Sequence, residues 1–88
     1  MPLKFNRYLK KSKVHRKILA FFVENQGSVD TPRGLSTWTN ENIKKVTAAL
    51  EEFAVAGLLK AHRTSSTVGY SCALNKKELQ SLASQLKP

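Results

Sequence analysis

Acidic side chains are scarce in this chain: six Asp plus Glu stand against fifteen Lys plus Arg, a net charge of +9 in 88 residues. That deficit favours polyanionic partners, nucleic acid first among them. Thiols are scarcer still. Cys72 is the only cysteine, which excludes an internal disulfide and leaves a metal site short of thiolates, so it reads as a small apolar residue of a strand. His15 and His62 are the only histidines, and no ligand-like spacing relates them, so no metal is expected. Asp30 is the only aspartate, and no glutamate stands at a motif-like spacing from a histidine or cysteine. The four glycines, at 27, 34, 57 and 69, are scattered and form no phosphate-binding loop. These absences argue against an enzyme and against a cofactor. The longest apolar run, Ile18 to Val23, has six residues, where about 20 are needed to cross a bilayer. No membrane span is expected. The opening Met1-Pro2-Leu3-Lys4 is not followed by the apolar stretch of a secretion signal, which predicts a cytoplasmic location.

What is present is enough apolar content, 41% of residues, to close one small core, and a length that suits one folded unit better than two. The charge is unevenly placed. Residues 1–23 carry Lys4, Arg7, Lys10, Lys11, Lys13, Arg16 and Lys17 with no acid, while residues 24–75 are balanced. Residues 1–12 therefore read as a basic arm in which Lys10 and Lys11, with Lys13 just beyond, lie along phosphates and add affinity that is independent of sequence. Phe5, Tyr8 and Leu9 are interleaved with these bases at the spacing of one helix face, so part of the arm is expected to dock on the body or on a second subunit.

Helical periodicity marks residues 13–25, with Val14, Ile18, Phe21 and Phe22 on one face and Gly27 ending the helix. Val29 reads as a lone strand residue. Thr31-Pro32 opens a short helix over about 31–37, with proline in its first turn. A third helix is expected over about 40–56, capped by Thr39 or Asn40, with Ile43, Val46, Leu50 and Phe53 as its core stripe and Gly57 at its end. Its lysines, Lys44 and Lys45, come first and its acids, Glu51 and Glu52, come last. That order opposes the helix dipole and suggests that something negative approaches the N-terminal half. Leu58–Arg63 and Val68–Leu74 then read as a β-hairpin around the polar run 64–67. Asn75 and Glu78 have the spacing of a capping box ahead of an amphipathic last helix with Leu79, Leu82, Ala83 and Leu86 on one face.

The run Val46-x3-Leu50-x2-Phe53-x3-Gly57-Leu58-Leu59 resembles the end of the recognition helix in the winged helix-turn-helix superfamily of small transcriptional regulators, including those of the multiple-antibiotic-resistance type. The short second helix departs from that pattern: it lacks the usual leucine-alanine pair and places Trp38, read as a packing residue, near the turn. The resemblance covers residues 13–74 and implies an α+β fold, with a three-helix core, a two-stranded wing and a C-terminal helix over 75–88. It also implies double-stranded DNA as partner. Asn40, Asn42, Lys44, Lys45, Thr47 and Ala48 would then face the major groove, where Asn pairs with adenine, Lys with guanine, and Thr47 and Ala48 meet thymine methyls. Arg63, Thr64, Ser65, Ser66 and Thr67 would lie on the backbone or in the minor groove. Surplus apolar residues at both ends, Phe5, Tyr8 and Leu9 with Leu79, Leu82 and Leu86, suggest a homodimer. Two other readings remain open. The spacing of Thr31-Pro32, Leu35-Ser36, Leu58-Leu59 and Ser65-Ser66 is also similar to a winged-helix ribosomal protein, which implies RNA, and a winged helix can serve as a protein-contact module.

Overall fold

A computed structural model describes residues 6–86. Five helices and one three-stranded antiparallel sheet make an α+β fold: α1 (Asn6–Lys11), α2 (Lys13–Glu24), β1 (Val29–Asp30), α3 (Pro32–Thr39), α4 (Ile43–Val55), β2 (Leu59–Arg63), β3 (Val68–Cys72) and α5 (Lys76–Leu86). Caps fix most helix starts. Ser12 accepts the His15 N–H at the start of α2, Thr31 accepts the Gly34 N–H at the start of α3 with Pro32 behind it, and Asn42 accepts the Lys44 N–H at the start of α4. Asn75 and Glu78 exchange reciprocal bonds of 2.8 and 3.0 Å between side chain and backbone, the capping box expected at α5.

The turn between α3 and α4 differs from expectation. Asn40 does not start the third helix; with φ at 58° it terminates α3, which runs to Thr39 rather than to 37. The physical reason is local bonding. Asn40 N–H reaches the Ser36 carbonyl, and the Ser36 hydroxyl reaches the Glu41 carbonyl at 2.6 Å. Thr39, proposed as a cap, is instead buried with its hydroxyl on the Leu35 carbonyl at 2.7 Å. Ile43, placed in the core stripe by its spacing, is 43% exposed, because the stripe begins one turn later at Val46.

The core is built from α2, α3, α4 and the hairpin, with Ile18, Phe22, Leu35, Val46, Leu50, Phe53, Leu58 and Tyr70 almost fully buried. Trp38 is half-exposed and lies edge-on to Phe21 with ring centroids 5.0 Å apart. At Gly57 the backbone turns out of α4 with φ at 85°, a left-handed geometry that costs little only for glycine, and delivers Leu58 and Leu59 to the hairpin. The strand order β1-β3-β2 puts β3 in the centre: Val29 pairs with Ser71 and Asp30 with Tyr70 on one side, and Leu59 through Arg63 pair with Cys72 through Val68 on the other. Gly69 makes room for this, since a Cβ there would stand 2.8 Å from the Val29 side chain. Cys72 is half-buried in β3, and burial pushes its thiol up.

Both ends of the described chain enter the same core. Tyr8 and Leu9 of α1 are 8% exposed, Leu82 of α5 is fully buried and Leu79 is 8% exposed. The apolar surplus that suggested a homodimer is therefore used largely within one chain. Phe5, the third member of the expected arm face, lies outside the described residues, as does Lys4. No helix among the described residues is long and apolar enough to cross a membrane.

Candidate nucleic-acid interface

The N-terminal half of α4 and the hairpin turn stand on either side of an open groove of about 510 Å³, lined by Thr31, Pro32, Arg33, Ile43, Arg63, Thr64, Thr67 and Val68. Three elements meet there because β1 holds the start of α3 against β3, while the α3–α4 turn brings Ile43 alongside. Arg33 and Arg63 edge the groove, and neither has an acidic partner among the described residues. Arg63 was expected at this surface. Arg33 and Ile43 were not, and only the tertiary fold places them there; the one local signal for Arg33 is its position behind Pro32 in the first turn of a helix.

The residues expected to read bases divide into two groups. Lys44, Lys45 and Ala48 are exposed on α4 as anticipated, with Thr47 half-exposed beside them. Asn42 is occupied: its Oδ1 accepts the Lys44 N–H at 2.8 Å and so caps the helix. Asn40 sits in the preceding turn, outside α4. Thr47 turns its hydroxyl back to the Ile43 carbonyl at 2.8 Å. At the hairpin turn, Thr64 and Thr67 bond to each other: the Thr64 N–H and hydroxyl both donate to the Thr67 carbonyl, and the Thr64 oxygen accepts the Thr67 N–H. Ser65 and Ser66 are exposed at the tip, with no hydrogen-bond partner for their hydroxyls among the described residues.

The bases of the arm also divide. Lys13 lines a second depression of about 520 Å³ with Ser12, Lys45, Ala48 and the carboxylates Glu41 and Glu52, so it stands beside the first half of α4. Lys17 bonds Glu41 at 2.8 Å and the Thr39 carbonyl at 2.9 Å. That Lys17 hydrogen bond holds the Glu41 carboxyl below its usual range; desolvation opposes it, and the charges of Lys17, Lys13 and Lys45 add to the lowering. Lys10 is exposed on α1 without an acidic partner among the described residues. Lys11 instead bonds Glu52 at 2.5 Å in the second half of α4. The unexpected dipole order of α4 is thereby explained at one end only. Glu52 is answered by Lys11 and His15, whereas Lys44 and Lys45 are unpaired among the described residues and stand at the positive end of the helix.

Two further features bear on chemistry. His15 is buried between Ser12, 2.6 Å from Nδ1, and Glu52, 2.9 Å from Nε2, a proximity across 37 residues that no sequence spacing displays. Since an ionised carboxylate only accepts, Nε2–H donates to Glu52, and in the neutral ring Nδ1 accepts the Ser12 hydroxyl. Among the described residues, no group of three or more His, Cys, Asp or Glu is arranged to hold a metal ion. Comparison of the chain with family models, with curated proteins and with solved structures gives no match in any of the three.

Proposed function

We propose that this protein is a winged-helix binder of double-stranded DNA, acting as a transcriptional regulator. In this reading α4 lies in the major groove, the β2–β3 hairpin is the wing, and its tip follows the backbone into the adjoining minor groove. The observation that carries it is the arrangement of cations without an acidic partner among the described residues: Arg33 and Arg63 edge the groove beside α4, Lys44 and Lys45 stand on its first turn, and Lys13 lines a second depression along it. These five cations around the start of α4 make a basic surface suited to several phosphates of a duplex backbone, and the helix dipole adds to them. Lys10, exposed on α1, would add a further phosphate contact. Lys11 is left out of this surface because Glu52 holds it, and the homodimer is left out because the side chains that suggested it are largely in the core.

The test is fluorescence anisotropy against a random duplex, a random single strand and a structured RNA, each across a salt series. Duplex is expected to bind most tightly, with log K falling against log salt at a slope near −5 for about six phosphate contacts. Preference for structured RNA at matched salt would replace this reading with the ribosome-type one. Failure to bind any nucleic acid at low salt would leave a protein-contact module.

A further inference from the structure

From the outward face of α4 we infer that the protein reads its target chiefly through the C5-methyl groups of thymine, by carbon contact rather than by hydrogen bonds to base edges; this rests on the duplex-DNA reading above. The two asparagines suited to pair with adenine are engaged or displaced: Asn42 caps α4 through Lys44 N–H, and Asn40 belongs to the turn before it. Between the lysines of its first turn and Glu51, what α4 offers outward is carbon. Ile43 is 43% exposed, Ala48 is exposed, and Thr47 has turned its hydroxyl to the Ile43 carbonyl, which leaves the methyl as its free group. These three line one shallow depression with Lys44 at its edge and Glu51 at its far end.

Ile43, Thr47 and Glu51 are successive i, i+4 positions, so they run along one line of the helix. From Ile43 to Glu51 is about 12 Å at 1.5 Å per residue, the rise of about three to four base pairs. The major groove presents one apolar feature, the thymine methyl. The part of the depression walled by an isoleucine side chain, a threonine methyl and an alanine methyl matches that feature. Glu51 adds discrimination of a different kind: its carboxylate accepts from cytosine N4 and repels the phosphates of a misplaced backbone.

The experiment selects a duplex from a random library with the full chain and then compares the selected duplex with one in which every thymine of the core site is replaced by deoxyuridine. The base-pairing edges are unchanged and only the methyls are lost. Affinity is expected to fall about fourfold for each contacted methyl, the equivalent of one buried methylene. Thr47→Ser, which keeps the hydroxyl and removes the methyl, should reduce that penalty, whereas Thr47→Val, which keeps the methyl and removes the hydroxyl, should preserve it. Ile43→Ala should reduce it as well. Equal affinity for thymine and uracil duplexes, with duplex binding intact, overturns the inference and leaves the DNA reading standing; Lys44 would then be the residue that reads. Absence of binding to any duplex removes both.

Discussion

Glu52 projects from α4 to meet Lys11 of α1 at 2.5 Å and His15 of α2 at 2.9 Å, so one carboxylate ties three helices together. Hydrogen bonding from Lys11, then from His15, holds this carboxyl below its ordinary value of 4.5, with desolvation opposing. A depressed folded pKa stabilises the fold most fully above 4.5, and that contribution is lost as the pH falls through the lowered folded value. The group is about one-third exposed, so solvent screening limits the effect to under about 1 kcal/mol. Glu52→Gln is therefore expected to cost that little at neutral pH and to flatten the acid side of a plot of melting temperature against pH. An acid limb identical to wild type would show that the tie contributes nothing. Sequence reading missed this residue pair because the two positions lie 37 apart, and helical periodicity relates only neighbours three or four apart.

The start of α4 depends on Asn42. Thr39 and Asn40 were the expected caps; Asn42, expected to read a base, takes the role because Asn40 enters the left-handed region and Thr39 enters the core. Asn42→Ala should destabilise the protein by about 1 kcal/mol in urea unfolding, while Asn42→Ser, a comparable cap, should restore most of it. Neither substitution should change which bases are preferred; a switch in preference would return Asn42 to the reading surface. Elsewhere the elements were legible, and for identifiable reasons. The hairpin was marked by alternation around 64–67, α5 by its capping box, β1 by the isolated Val29, and the exit from α4 by Gly57. The stripe on α4 was overextended to Ile43 because apolar spacing continues one turn past the edge of the core, onto what is now the candidate reading face.

At the scale of the whole molecule, the division into arm, body and tail that composition suggests dissolves into one core, since Tyr8, Leu9 and Leu82 pack with Ile18, Leu50 and Phe53. Leu82→Ala should cost about 2–5 kcal/mol and lower the midpoint of a single transition seen alike by far-ultraviolet dichroism and by Trp38 fluorescence. Two separated transitions would show that α5 is an independent appendage. The candidate interface was only partly visible in the sequence. Its bases on α4 and in the hairpin could be listed, but Arg33 comes from a third element, and the division between Lys13, without an acidic partner among the described residues, and engaged Lys11 is a matter of tertiary geometry. Arg33→Ala and Arg63→Ala should each weaken binding to all duplexes alike and flatten the salt slope by about one unit. A change in sequence preference from either would place that arginine on a base.

The central position of β3 also sets how the hairpin moves. Strand β1 pairs with it at Val29–Ser71 and Asp30–Tyr70, and β2 pairs along its whole length, whereas residues 64–67 are held only by bonds between Thr64 and Thr67. In deuterium exchange the amides near Tyr70 should open only with global unfolding, while those of Ser65 and Ser66 exchange within the dead time. The hairpin thus behaves as a clamped cantilever: its root keeps the angle to α4 constant, and only the last few residues adjust to the surface they meet.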